Sequence, residues 1–177
     1  MLRFTRIPTP LKDLLVIERM RLGDDRGFFS RFFCSEEIAD FGIGKVMQIN
    51  HTMTQAKGTI RGMHFQRAPN DDAKFVSCIA GAIFDVAVDL RPSSPTYLKW
   101  HAEVLSRENA RSMMIPGGFA HGFQTLTADC ELIYLHDKPY APQAEDGVNA
   151  FDPKLAIAWP LPIGQISPRD RDLPLVS

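Results

Sequence analysis

Phe75-Val-Ser-Cys-Ile-Ala-Gly81 runs directly into Ala82-Ile-Phe-Asp-Val-Ala-Val-Asp-Leu90. Both segments are short and rich in β-branched and aromatic residues, a composition that suits strands better than amphipathic helices. They meet at Gly81, which can take the positive φ of a tight reversal, so the pair is expected to form a β-hairpin. The same pattern recurs outward from this stretch. Val46–Thr54, Lys99–Leu105, Ser112–Ile115 and Glu131–His136 read as further strands. Turn chemistry separates them at Lys57-Gly58, Arg91-Pro-Ser-Ser-Pro95, Glu108-Asn109 and Pro116-Gly-Gly118. One helix is expected, Ser35-Glu-Glu-Ile-Ala-Asp-Phe41, where Ser35 can cap free amides and two glutamates occupy the first turn. The proline-rich tail from Trp159 should wrap the surface as extended chain. Many short strands make an all-β antiparallel double-sheet jelly roll, with a few short peripheral helices, the expected fold.

The 177 residues fit a single domain spanning 1–177. Composition is that of an ordinary globular chain: 45% hydrophobic, 23% charged and 10% aromatic. Twenty Lys and Arg against 21 Asp and Glu leave a net charge of −1, and no like-charge run tracks a phosphate backbone. Nucleic acid is therefore not an expected partner. The longest apolar run near the N-terminus, Leu14 to Ile17, is too short for a signal-peptide core, and no stretch is long enough to span a bilayer as a helix. Cys34, Cys78 and Cys130 are odd in number and widely spaced, which fits a reducing cytoplasm better than a disulfide frame or a CxxC metal site.

Histidine is the side chain whose ordinary pKa lets it exchange protons near neutral pH. Of the five in this chain, His101 follows Trp100 in a strand and His136 sits beside Asp137 and Lys138, so both are expected in packing or surface roles. His64 differs. Arg61-Gly-Met-His64 closes a strand pattern that begins at Gln48, and period-2 geometry sets Gln48, Asn50, Thr52 and Thr54 on one face. A polar row in a half-buried sheet costs stability unless something satisfies it, which points to a ligand. His121 lies in Pro116-Gly-Gly-Phe-Ala-His121, half of the metal-binding pattern of cupin-type jelly rolls. The other half needs two histidines one residue apart, and here that segment reads His64-Phe-Gln66. A metal needs three or four donors, so no metal site is expected.

Taken in order, Asp25-Arg-Gly-Phe-Phe29, Gln48-Ile-Asn50, Arg61-Gly-Met-His64, Lys74, Asp85-Val-Ala-Val-Asp-Leu-Arg91, Ser94-Pro-Thr96, Ile115-Pro-Gly-Gly-Phe-Ala-His-Gly-Phe123, Tyr134, Tyr140-Ala-Pro142 and Ser167-Pro-Arg-Asp170 resemble the dTDP-4-dehydrorhamnose 3,5-epimerases. The resemblance spans nearly the whole chain. It implies a cupin-like double-stranded β-helix, a homodimer, no cofactor, and inversion at C3, C5 or both of a nucleotide-linked 4-keto-hexose, in polysaccharide or glycosylated-product biosynthesis. It also implies roles: His64 as base, Asp170 orienting it, Tyr134 as proton donor, and Lys74 near the carbonyl. Arg26, Gln48, Asn50, Arg61, His121, Tyr140, Glu145 and Arg169 would contact the nucleotide sugar.

The residue types suit this chemistry on their own terms. A C–H beside a ketone is weakly acidic, so epimerisation needs a base on one face, an acid on the other, and a donor where enolate charge builds. Two rival readings are a metal-dependent cupin oxygenase or isomerase built on His121, and a sugar-nucleotide binding jelly roll without turnover. Two positions depart from the family pattern. Arg31 stands where the family usually has glutamate, and Pro139 where a second aromatic often stacks on the base. Both suggest a nucleotide or sugar other than dTDP-4-keto-6-deoxyglucose.

Overall fold

The computed structural model describes residues 3–176. The strands are β1 (Phe4–Pro8), β2 (Leu15–Arg19), β3 (Arg21–Asp24), β4 (Gly27–Ser30), β5 (Gln48–Thr54), β6 (Ile60–Gln66), β7 (Lys74–Ala80), β8 (Ala82–Asp89), β9 (Trp100–Ser106), β10 (Arg111–Ile115), β11 (Phe119–Thr125), β12 (Cys130–His136) and β13 (Glu145–Gly147). They form a six-stranded sheet of order β1-β2-β10-β7-β12-β5, a five-stranded sheet of order β13-β6-β11-β8-β9, and a separate β3-β4 ribbon. Every pairing is antiparallel. Val76, Cys78, Met113 and Leu132 from the larger sheet pack against Ile83, Ala87, Leu105, Phe119 and Phe123 from the smaller. This is the jelly-roll sandwich expected from the sequence.

Both sheets are covered on their outer faces as well. Residues 32–46 lay Phe32, Ile38, Phe41 and Ile43 over Ile17, Phe75, Met114 and Leu135. Residues 148–166 lay Val148, Leu155, Ile157 and Trp159 over Ile60, Met63, Val86 and Val88. The central strands β7 and β8 therefore bury both faces, which explains why their sequences are nearly continuous apolar runs instead of alternating ones.

The expected hairpin at Gly81 is not formed. β7 pairs with β10 and β12, whereas β8 pairs with β9 and β11, so the chain steps between sheets at Gly81. One residue is too short for a two-residue hairpin loop. Gly81 has φ +71°, and a Cβ there would lie 2.5 Å from the Thr127 hydroxyl and 2.8 Å from Cys130 Sγ. The expected helix at Ser35–Phe41 is also reduced to a turn followed by a single 3-10 turn, Ala39–Phe41, with no side-chain cap. Seven residues carry the nucleation cost of a helix over few hydrogen bonds, and burying Ile38 and Phe41 under the sheet decides their conformation instead. An α-helical turn lies in the tail read as wholly extended: α1 (Pro168–Arg171), capped by Ser167, whose hydroxyl accepts the Asp170 N–H at 3.0 Å.

Candidate active site

His64 lies on β6, a strand of its own, not at the end of the pattern from Gln48; a turn at residues 56–58 separates β5 from β6. Between β6 and β11 the register slips: His121 faces His64 and Phe123 faces Arg61, so β6 carries one extra residue. That bulge is what lets Arg61 and His64, three apart, both face the same cavity, where a regular strand would point them to opposite sides. Gly62 and Gly122 permit the close approach. A Cβ on Gly62 (φ +122°) would lie 2.6 Å from Gly122 Cα, and one on Gly122 would lie 2.7 Å from the Arg61 carbonyl.

The cavity, of about 280 Å³, opens between the two sheets. Along each contributing strand the inward positions change from apolar to polar: Cys78, Val76, then Lys74 on β7; Leu132, Tyr134, then His136 on β12. Register aligns these polar ends, with His136 opposite both Lys74 and Gln48, and Tyr134 opposite Asn50. The polar row read from the sequence on β5 supplies Gln48, Asn50 and Thr52 to this wall. The opposing wall carries Arg61, His64 and His121.

Three imidazole–carboxylate pairs stand around the cavity. His64 Nε2–H donates to Asp170 Oδ1 at 2.8 Å, leaving Nδ1 as the atom able to take a proton. The other oxygen of Asp170 accepts the Gly62 N–H at 3.0 Å, so α1 and the bulge together lock the carboxylate. His121 Nε2–H donates to Asp85 at 2.7 Å, and burial raises the Asp85 pKa against the pull of that imidazole. His136 Nδ1–H donates to Asp72 at 2.6 Å. Burial alone would raise the Asp72 carboxyl, but His136 and Lys74 more than offset it and hold it down to about 2. Burial pushes the Tyr134 phenol well above its ordinary value. Its ring sits between His121, edge-on at 5.9 Å, and His136, stacked at 6.2 Å.

Of the residues singled out from the sequence, Gln48, Asn50, Arg61, His64, Lys74, His121, Tyr134, Tyr140 and Glu145 line this one cavity. Asp170 stands behind His64. Arg169 lies just outside, reaching Glu145 at 2.6 Å while Tyr140 donates to the same carboxylate at 2.7 Å. Arg26 is not brought to the cavity: it pairs with Asp24 on the β3-β4 ribbon and its side chain is 89% exposed. His136, expected in a packing or surface role, instead lines the cavity beside Asp72. Neither sits in a recognisable motif, and only the register between β7 and β12 brings them together. His101 stays outside the cavity. Among the described residues no three His, Cys, Asp or Glu side chains converge as a metal-binding group.

The family profile for dTDP-4-dehydrorhamnose 3,5-epimerase matches residues 8–177. The chain belongs to that family. The dTDP-4-dehydrorhamnose 3,5-epimerase of Escherichia coli is 41% identical over 171 residues, covering 94% of this chain and 91% of the relative. The Bacillus anthracis enzyme of the same description, solved with TDP and pyrophosphate bound, is 38% identical with a TM-score of 0.94, over 98% of this chain and 99% of the other. A Legionella pneumophila dTDP-6-deoxy-D-glucose-3,5-epimerase in complex with dTDP-4-keto-L-rhamnose is 40% identical with a TM-score of 0.92, over 97% and 92%.

Proposed function

We propose that this family member is a cofactor-independent epimerase that inverts the carbons flanking the ketone of a dTDP-linked 4-keto-6-deoxyhexose. One observation carries the reading: His64, held by Asp170, and Tyr134 line a single cavity from opposite sheets, with Lys74 in the same wall as Tyr134. His64 Nδ1 removes the proton next to the ketone, and Asp170 stabilises the resulting imidazolium. Lys74 supports the negative charge that moves onto the ketone oxygen. Tyr134 returns a proton from the other face. Gln48, Asn50, Arg61, His121, Tyr140 and Glu145 hold the nucleotide sugar, with Arg169 fixing Glu145.

Arg31 is paired with Glu37 outside the cavity of its own chain. The relatives solved with TDP or a dTDP-sugar support dTDP as the carrier. Incubation with dTDP-, CDP- and GDP-linked 4-keto-6-deoxyglucose in heavy water tests this. Deuterium should enter at C3, C5 or both of the dTDP substrate fastest; no exchange with any of them would refute the reading, and preference for another nucleotide would refute the carrier.

The working unit in this proposal is a homodimer. Among the described residues β5 ends the six-stranded sheet with an unpaired edge, and its outer face exposes Ile49 (63%) and Met53. The β3-β4 ribbon exposes Phe28 and Phe29 (61%), and an isolated two-stranded ribbon is marginal without a packing partner. Arg26, remote from its own cavity, would reach substrate only across such an interface. The three free thiols suit a reducing, cytoplasmic setting, and among the described residues no helix is long and apolar enough to cross a membrane.

A further inference from the structure

We propose that Asp72 and His136 are positioning residues for Lys74, forming a unit that fixes the ammonium where charge develops on the ketone oxygen; the proposal rests on the epimerase reading above. The geometry is specific. Asp72 is almost wholly buried and uses its two oxygens separately: Oδ1 accepts from Lys74 Nζ at 3.1 Å and Oδ2 accepts from His136 Nδ1–H at 2.6 Å. Lys74 and His136 are direct cross-strand partners, and Asp72 lies two residues before β7 begins. All three line the cavity.

A lysine ends a flexible four-carbon stem, and an untethered ammonium must lose that freedom each time it meets a substrate. Asp72 removes the freedom in advance, in the manner that makes oriented groups effective. The imidazole sets how the carboxylate is presented. By occupying Oδ2 it turns Oδ1 toward Lys74, and the ammonium then keeps two of its three N–H donors for the cavity. With Nδ1 protonated, His136 Nε2 is an acceptor, and Asn50 Nδ2 stands 3.4 Å from it. The side chain is therefore fixed at both nitrogens, as a positioning group requires.

The test measures saturating and sub-saturating rates of deuterium incorporation into dTDP-4-keto-6-deoxyglucose, with dTDP affinity by calorimetry as the check on folding. Asp72→Asn and Lys74→Met should each lower kcat by about 10²-fold with KM and dTDP affinity changed less than about 3-fold. Adding Asp72→Asn to Lys74→Met should then cost less than about 3-fold more, because the carboxylate acts through the ammonium. The two isosteric replacements of the imidazole separate positioning from packing. His136→Asn keeps a donor at the place of Nδ1 and should stay within about 5-fold of the parent kcat. His136→Gln lacks that donor and should fall as far as Asp72→Asn. Multiplicative losses in the double variant, or equal losses in the two His136 variants, would overturn the inference while leaving the epimerase reading intact. A parent enzyme that exchanges no deuterium would overturn both.

Discussion

Burial drives the Tyr134 phenol above its ordinary pKa, and the nearby Asp85 carboxylate adds to the shift. A raised phenol stays protonated, so in the folded enzyme the group remains an acid up to and beyond about pH 10, the ordinary tyrosine value. Activity should therefore show no loss from ionisation of Tyr134 between about pH 8 and about pH 10. Tyr134→Phe removes the donor but leaves the His64–Asp170 pair untouched. In that variant net inversion should fall by about 10²–10⁴-fold while exchange of the substrate C–H with solvent persists, as seen by NMR of the recovered ketosugar. Loss of exchange and inversion in equal measure would contradict the division of labour between the two faces. At this scale the placement was readable in advance: His64, Tyr134 and Lys74, singled out through the family resemblance, line one cavity, with Asp170 bonded to His64. Asp72 and His136 were not readable, because what joins them is strand register, which a local reading of Asp-Ala-Lys or His-Asp-Lys does not contain.

The bulge in β6 is the element on which the site turns. It re-aims Arg61 and His64 toward one cavity, and its geometry requires Gly62 and Gly122 to pass with no side chain between them. Gly62→Ala would place a methyl 2.6 Å from Gly122 Cα at a φ of +122°, against backbone that cannot move aside as a side chain could. Strain and clash together should cost about 2–4 kcal/mol, lowering the thermal midpoint and displacing His64. An unchanged midpoint with full activity would contradict the assigned role. Strand positions were mostly visible because β-branched runs and turn residues are local signals. Pairing was not: the runs around Gly81 look like a hairpin, yet each is covered on both faces and they belong to different sheets, β7 between β10 and β12 and β8 between β9 and β11. The Ser35–Phe41 helix failed for a related reason, since its cap and charges are weak beside the burial of Ile38 and Phe41.

For the whole molecule, the proposed homodimer would use two exposed faces: the outer side of β5 and the β3-β4 ribbon that carries Arg26. Ile49→Glu would put a charge in the centre of the first, and should shift the protein from dimer to monomer in sedimentation analysis with little change in the stability of the isolated fold. A dimer unaffected by that change would place the interface elsewhere. The jelly roll itself was legible from composition and strand spacing, and the two covering segments account for the runs of β7 and β8 that do not alternate.

The account stands on His64 as the base that opens the reaction. Deuterium wash-in from heavy water to dTDP-4-keto-6-deoxyglucose, compared between the parent enzyme and His64→Asn, tests it most directly. The expected result is rapid incorporation beside the ketone by the parent and a loss of about 10³-fold or more in the variant, with dTDP affinity retained. Undiminished incorporation by His64→Asn would show that another group removes the proton.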